Sequence, residues 1–193
     1  MTKVYPNETA LLKRLYGILA SEPCSKRYIE SLRSDPMLTA FMSEVIGELA
    51  NQMELKDFPE YYTIDHALYC DHDIVSEGDL PFRTSKVKGT WLKRIRVAVE
   101  HENHLDSAGG YQEIAKFMLL NADMKVLMGY ADKGENYDAY AMDYQRMYGS
   151  VTTQSTPILF IGEYLDGRAD AYLITVEGLM KYDWDLATWN ACS

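Results

Sequence analysis

Cysteine is scarce in this chain: Cys24, Cys70 and Cys192 are the only three, far apart and odd in number. That fits neither a disulfide framework nor a paired-cysteine zinc site. Glycine (12) and proline (6) are also sparse, which excludes collagen-like and linker-like chains. No apolar run approaches the roughly 20 residues that a membrane helix needs. The N-terminal stretch MTKVYPNETALLKRLYG has no unbroken apolar segment of the signal-peptide kind. Neither a Gly-x-Ser-x-Gly elbow nor a Gly-x-Gly-x-x-Gly fingerprint occurs. What is present describes a folded chain. Hydrophobic residues make up 47% of 193 and aromatic ones 12%, with 15 tyrosines, a composition that excludes disorder. A chain of this length buries roughly 70% of its surface in one core. The expectation is one cytoplasmic domain over 1–193 without membrane contact: a helical part over 1–55, then an α/β part over 56–193.

Acids outnumber bases 29 to 19, giving a net charge of −10. That excess argues against passive coating of nucleic acid or of an anionic membrane. One stretch departs from the average. Arg83, Lys86, Lys88, Lys93, Arg94 and Arg96 fall within 14 positions with no acid among them. Such a run is either a solvated loop leading into a strand or a phosphate-contacting surface.

Apolar spacing sketches the elements. Leu11, Leu12, Leu15, Tyr16 and Leu19 form one helical stripe over about 9–20. A second helix is expected over 26–32, and a third over 37–53 with Phe41, Val45, Ile46 and Leu49 inward. The stretch 60–70 reads as one strand, Asp71-His72 as a turn, and Asp73-Ile-Val-Ser76 as a returning strand. Ile95-Arg-Val-Ala-Val is a strand, Ser107 to Gly110 a break, and 111–120 a helix with Ile114, Phe117 and Met118 inward. Gly109-Gly110 either opens that helix or cradles a phosphate on its first N–H groups. Lys125 to Met128 should be an interior strand and 137–148 a tyrosine-rich helix. A hairpin over 157–165 and 171–176, turning at Asp166-Gly167, closes the sheet. The order is α/β with a central mixed sheet flanked by helices.

Three acids fall where strands should be buried. Asp65 lies mid-strand, and Glu100 ends the run Val97-Ala-Val. Glu102 is two residues on, so both glutamates face the same side of the sheet. Buried carboxylates are costly unless paired or bound to a cation, and a hard ion such as Mg²⁺ seeks oxygen ligands of this kind. The alternative is that Glu100 and Glu102 pair with Arg94, Arg96 or Lys116 at the sheet edge. Glu100-His-Glu-Asn-His104 does not have the His-Glu-x-x-His spacing of a zinc helix. His101 should point away from Glu100, while His66 and His72 flank the hairpin of the first acid.

The ordered pieces Tyr-Thr-Ile-Asp65, Val-Ala-Val-Glu100-His-Glu102-Asn, Gln112-Glu-Ile-Ala-Lys116 and Met-Lys-Val-Leu-Met-Gly-Tyr130 resemble the PD-(D/E)XK nuclease core. The likeness spans 61–130, about a third of the chain. Glu102 stands where that family usually has lysine, in the manner of its Glu-x-Glu variants, and Ile64 stands where a proline often precedes the first acid. The resemblance implies a restriction-endonuclease-like fold and metal-dependent phosphodiester hydrolysis, with DNA as partner. Asp65 and Glu100 would hold Mg²⁺ or Mn²⁺ beside the backbone carbonyl of His101, and Glu102 would be a further ligand or orient water. Lys116 would be either a migrated lysine or a plain surface lysine, and the basic run from Arg83 to Arg96 would contact nucleic acid. A restriction role implies a homodimer, because two sites cut the two strands of a palindrome. The competing expectations are a catalytically silent relative that binds nucleic acid or a protein, and an acidic DNA mimic, which the basic run disfavours.

Overall fold

A computed structural model describes residues 6–75, 91–103, 107–130, 136–151, 156–163 and 169–192. Three helices lead: α1 (Pro6–Leu19), α2 (Glu22–Ser31) and α3 (Asp35–Gln52). Prolines sit in the first turns of α2 and α3, where a missing N–H costs nothing. Leu38, Phe41, Met42, Val45, Ile46 and Leu49 recur every three or four residues along α3 and are all buried. There follow β1 (Lys56–Tyr61), β2 (Ile64–Tyr69), a short 3-10 turn (Asp71–Asp73), β3 (Ile95–Glu102) and α4 (Ser107–Leu119). The chain continues through β4 (Ala122–Tyr130), α5 (Tyr137–Val151), β5 (Ile158–Glu163), β6 (Ala169–Thr175), β7 (Gly178–Asp183) and β8 (Thr188–Ala191).

All eight strands form one sheet, each beside its sequence neighbour. β3, β4 and β5 run parallel, and every other pairing is antiparallel. The parallel steps need crossovers, which α4 and α5 supply. Two successive crossovers of one hand, moving the same way across a sheet, must lie on the same face, and α4 and α5 do. Their Ile114, Phe117, Tyr137, Tyr144 and Tyr148 pack on Ala98, Leu127, Phe160, Tyr172 and Ile174. On the other face, α1 to α3 pack on Leu68, Val97, Val99, Val126, Met128, Leu159 and Leu173. The expected mixed sheet with helices on both faces is therefore present, with 125–128 as interior strand. Among the described residues no helix is long and apolar enough to cross a membrane.

Several expected elements differ. The single strand over 60–70 is a hairpin, because the chain reverses at Tyr62-Thr63 and Tyr61 pairs with Ile64. Neither turn residue is a glycine or asparagine, so the sequence carries no turn signal there. β1 went unrecognised because Pro59 weakens a strand pattern; it is tolerated because β1 is an edge strand. Among the described residues, the returning strand after Asp73 is represented by one bridge between Ile74 and Leu92, and Ser76 lies outside them. Ser107 to Gly110, read as a break, form the first turn of α4. At Gly110 the phosphate-cradle reading gives way to packing: a Cβ there would lie 1.7 Å from the Tyr144 hydroxyl. The meander β7–β8 carries too weak an alternation to be read in advance. The Asp166-Gly167 turn lies outside the described residues.

Candidate functional site

The site forms where β2 and β3 stop pairing. Their ladder ends at His66 opposite Val99, and one step further the register brings Asp65 opposite Glu100. Side chains replace the ladder at that point. The backbone N–H of Asp65 donates to Glu100 Oε2 (3.4 Å), and that of His101 donates to Asp65 Oδ2 (2.9 Å). Each acid thus caps the other's strand, and the two carboxylates share one small volume on the face covered by α4.

Lys116 joins them from α4. Its Nζ lies 3.3 Å from Glu100 Oε1 and 2.6 Å from Glu113 Oε2. This is the Lys116 ion pair that the sequence offered as the alternative, and it brings Lys116 into the cluster rather than leaving it on the surface. One ammonium thus serves both Glu100 Oε1 and Glu113 Oε2, two buried carboxylate oxygens. Glu100 is 1% exposed. Burial, reinforced by the charges of Asp65 and Glu113, holds its carboxyl far above the usual range despite Lys116. Burial alone would lower Lys116, but Glu113 and Glu100 outweigh it and keep the ammonium above its ordinary value. Glu113 is the member that sequence reading missed. Its signal was the three-residue spacing to Lys116, which puts both on one helix face.

The end of α4 is anchored from below. Lys125, fully buried in β4, donates through Nζ to the Phe117 carbonyl at 2.7 Å, and burial draws its pKa down to about 8. Glu102 is half-buried and lies beside Gly129 of β4. His101 faces the opposite side, as strand alternation requires, with its ring 6.3 Å from that of His66. His66 in turn contacts Asp57 at 2.8 Å. Burial lowers the pKa of His101, against the opposing charge of Asp65. A cavity of about 590 Å³ lies elsewhere, lined by Glu44, Glu48, Asp57 and Tyr69 among others, and none of the predicted site residues borders it.

The basic run divides. Arg83, Lys86 and Lys88 lie outside the described residues, as does His104. Lys93 is exposed. Arg94 donates through Nε to both oxygens of Asp123 at 2.9 and 2.8 Å. Arg96 grips Asp73 with Nε (2.7 Å) and Nη2 (2.9 Å), and Nη2 lies 2.8 Å from His72 Nε2. Two of the predicted nucleic-acid contacts are thus committed to acids of the fold. Among the described residues Cys70, His72 and Asp73 bring thiol, imidazole and carboxylate atoms within 4.8 Å of one another. The Arg96 guanidinium already supplies the positive charge there, so a metal would have to displace it.

Those Arg96 hydrogen bonds, with a further one from the Cys70 N–H, hold the Asp73 carboxyl down at about 2. A carboxylate depressed in the folded state stabilises fully above its unfolded value and loses that stabilisation as pH falls through about 2. Asp73→Asn should cost about 1–2 kcal/mol at pH 7, allowing for solvent around Arg96. Urea midpoints for wild type and variant should converge as pH drops below 3; a constant gap would assign the loss to packing.

Set against known proteins, the chain matches no family model and no curated protein.

Proposed function

We propose that the protein is a metal-dependent nuclease that hydrolyses phosphodiester bonds, in DNA, at the cluster of Asp65, Glu100 and Lys116. The charge count around Glu100 carries this reading. Glu100 and Glu113 share one ammonium and Asp65 adds its charge beside Glu100, so full ionisation would set three negative charges against one positive. Such a surplus is costly in a low-dielectric site, and a hard divalent cation removes it. The donor set suits that ion: carboxylate oxygens throughout, two of them buried and sharing one ammonium. The order of elements adds support, since the aspartate strand, the glutamate strand, a helix and a parallel strand follow one another as in the resemblance drawn above.

Asp65 and Glu100 would hold Mg²⁺ or Mn²⁺ beside the His101 carbonyl. When bound, the ion polarises the scissile phosphate and acidifies the attacking water. The remaining work falls to side chains. Lys116 sets a fixed cation where negative charge grows on the phosphate oxygens in the transition state, and Glu113 keeps that ammonium protonated and oriented. Glu102 orients the attacking water. A second reading, the catalytically silent relative, has one observation in its favour: Asp65 and Glu100 already have a structural task in capping the β2–β3 ladder.

Incubation of plasmid, linear and single-stranded DNA with Mg²⁺ or Mn²⁺ separates the two. Cleavage should appear with metal and vanish in excess chelator, and Asp65→Ala should abolish it while leaving DNA retention within a few-fold. Cleavage that persists in chelator would refute the mechanism. Retention of DNA without cleavage under either metal would favour the silent relative.

A further inference from the structure

The hairpin turn before Asp65 has a feature that the carboxylate cluster does not use. In a two-residue hairpin whose first loop position has positive φ, glycine is the least costly occupant. Tyr62 holds that position at φ 58°, between the paired residues Tyr61 and Ile64. A β-carbon in this region crowds the following carbonyl, so tyrosine adds strain that glycine would avoid. Packing does not offset it, because the Tyr62 side chain is 65% exposed. Persistent strain with the ring held outward points to a use for that ring.

A second exposed aromatic stands beside it. Trp91 is 43% exposed, and its ring lies 5.7 Å from that of Tyr62 at 57°. Tyr62 rests on an aromatic base, the buried Tyr61 backed by the half-buried Phe58. Tyr61 meets Tyr62 edge-on at 4.8 Å and Phe58 at 5.0 Å. The Tyr61 hydroxyl accepts a hydrogen bond from the Leu92 N–H at 2.9 Å, which ties the Trp91 segment to the hairpin. Two aromatic rings are thus fixed at the end of β2 that carries Asp65, three residues along the chain from Tyr62.

We propose that Tyr62 and Trp91 form a stacking platform for an unpaired nucleobase, so that the substrate of the carboxylate cluster is single-stranded nucleic acid. This rests on the nuclease reading and adds the substrate class. Every base offers a π-face, so exposed rings bind single strands with little regard to sequence, whereas an intact duplex keeps those faces stacked inside. Charge favours a nucleic acid over a protein partner: in the sequence Trp91 follows Arg83, Lys86 and Lys88 and precedes Lys93 with no acid between, while Arg94 and Arg96 are already held by Asp123 and Asp73.

Binding is measured on the Glu100→Gln variant in chelator, with single-stranded DNA, single-stranded RNA and blunt duplex of one sequence, by fluorescence anisotropy. Single strands should bind more tightly than duplex. Tyr62→Gly should weaken single-strand binding roughly 5- to 150-fold, the range of one base–aromatic stack, with duplex binding unchanged. Because glycine relieves the positive φ, the same variant should melt no lower than its parent, which separates lost stacking from lost folding. Quenching of tryptophan emission by the oligonucleotide should disappear in Trp91→Phe. Equal affinity of Tyr62→Gly and its parent for single strands, a preference for duplex, or no oligonucleotide binding at all would overturn the proposal, the last leaving the rings to a protein partner. Duplex cleavage that needs Glu100 but not Tyr62 would overturn the platform and keep the nuclease. Single-strand binding through Tyr62 without cleavage under any metal would keep the platform and overturn the nuclease.

Discussion

Glu100→Gln should remove cleavage and, at the same time, stabilise the protein at neutral and alkaline pH. The two effects share one cause. Burial beside Asp65 and Glu113 pushes the Glu100 carboxyl up to about 9. Between the unfolded value near 4.5 and that point, the folded state retains a proton that the unfolded chain has released, so stability falls as pH rises. Each pH unit is worth about 1.4 kcal/mol, or about 3 kcal/mol lost by pH 7. Glutamine keeps the shape without the ionisation, though it gives up the attraction to Lys116. A net gain of about 1–3 kcal/mol is expected, a rise of roughly 2–10 °C in melting temperature. The gain should vanish near pH 4, where the native carboxyl is neutral in both states. Cleavage should fall to background, because on the nuclease proposal Glu100 is one of the two carboxylates that would hold the metal. A readout without turnover completes the test: Mg²⁺ should raise the melting temperature of wild type but not of the variant, because the ion stabilises only the state it binds. A variant less stable than wild type at pH 8 would make Glu100 a structural acid whose charge is already met by Lys116. Strain kept at the expense of stability is what a functional carboxylate predicts.

Legibility in the sequence followed how local each signal was. The stripe of α3, the apolar runs of β3 and β4 and the tyrosine-rich α5 are set locally and could be read; in α1 the buried stripe is Leu11, Leu12, Leu15 and Ile18, while Tyr16, read as part of it, is exposed. Asp65 and Glu100 could be singled out because a charged residue in an apolar strand is an anomaly visible on its own. That they would face one another depends on the register of two strands joined by 25 residues, which no local pattern states. Lys116 was legible as a candidate partner of Glu100, but Glu113 joined the cluster only because the crossover helix swings both over the β3 end. The Tyr62-Thr63 turn was hidden for the opposite reason, since the chain makes a glycine's turn without a glycine. Arg94 and Arg96 were read as nucleic-acid contacts or as partners of Glu100 and Glu102, because Asp123 and Asp73, which hold them, lie 29 and 23 residues away. β7 and β8 were missed because Glu177 to Ala191 carries charges and half-buried residues in no strict alternation.

Gly162→Ala should be among the most destabilising single changes in the chain, although it adds only one methyl group. Gly162 of β5 pairs with Gly129 of β4, and Gly129 pairs with Glu102 of β3, so one row across the parallel strands carries a carboxylate and then two bare backbones. Tyr137, the first residue of α5, lies in the space this leaves. Its ring is fully buried, and its hydroxyl donates to the Gly129 carbonyl at 3.3 Å. A Cβ on Gly162 would fall 2.3 Å from Tyr137 Cδ1 and 2.7 Å from Cγ, well inside contact distance. A ring gripped at its base and tied at its tip cannot swing aside, so α5 itself must lift from the sheet. Overpacking of this kind costs about 3 kcal/mol or more, a fall of roughly 6–12 °C in melting temperature. Serine should do the same, which excludes a hydrophobic explanation. Tyr137→Leu in the Gly162→Ala background should recover part of the loss, so that the double variant is less impaired than the two single changes summed. If the two effects simply add, the clash is relieved elsewhere and Tyr137 is not the obstacle. Because Glu102 borders the same row, lifting α5 should also disturb the residue to which the nuclease proposal gives the water-orienting role. Gly162→Ala is therefore expected to lower kcat more than it weakens nucleic-acid binding.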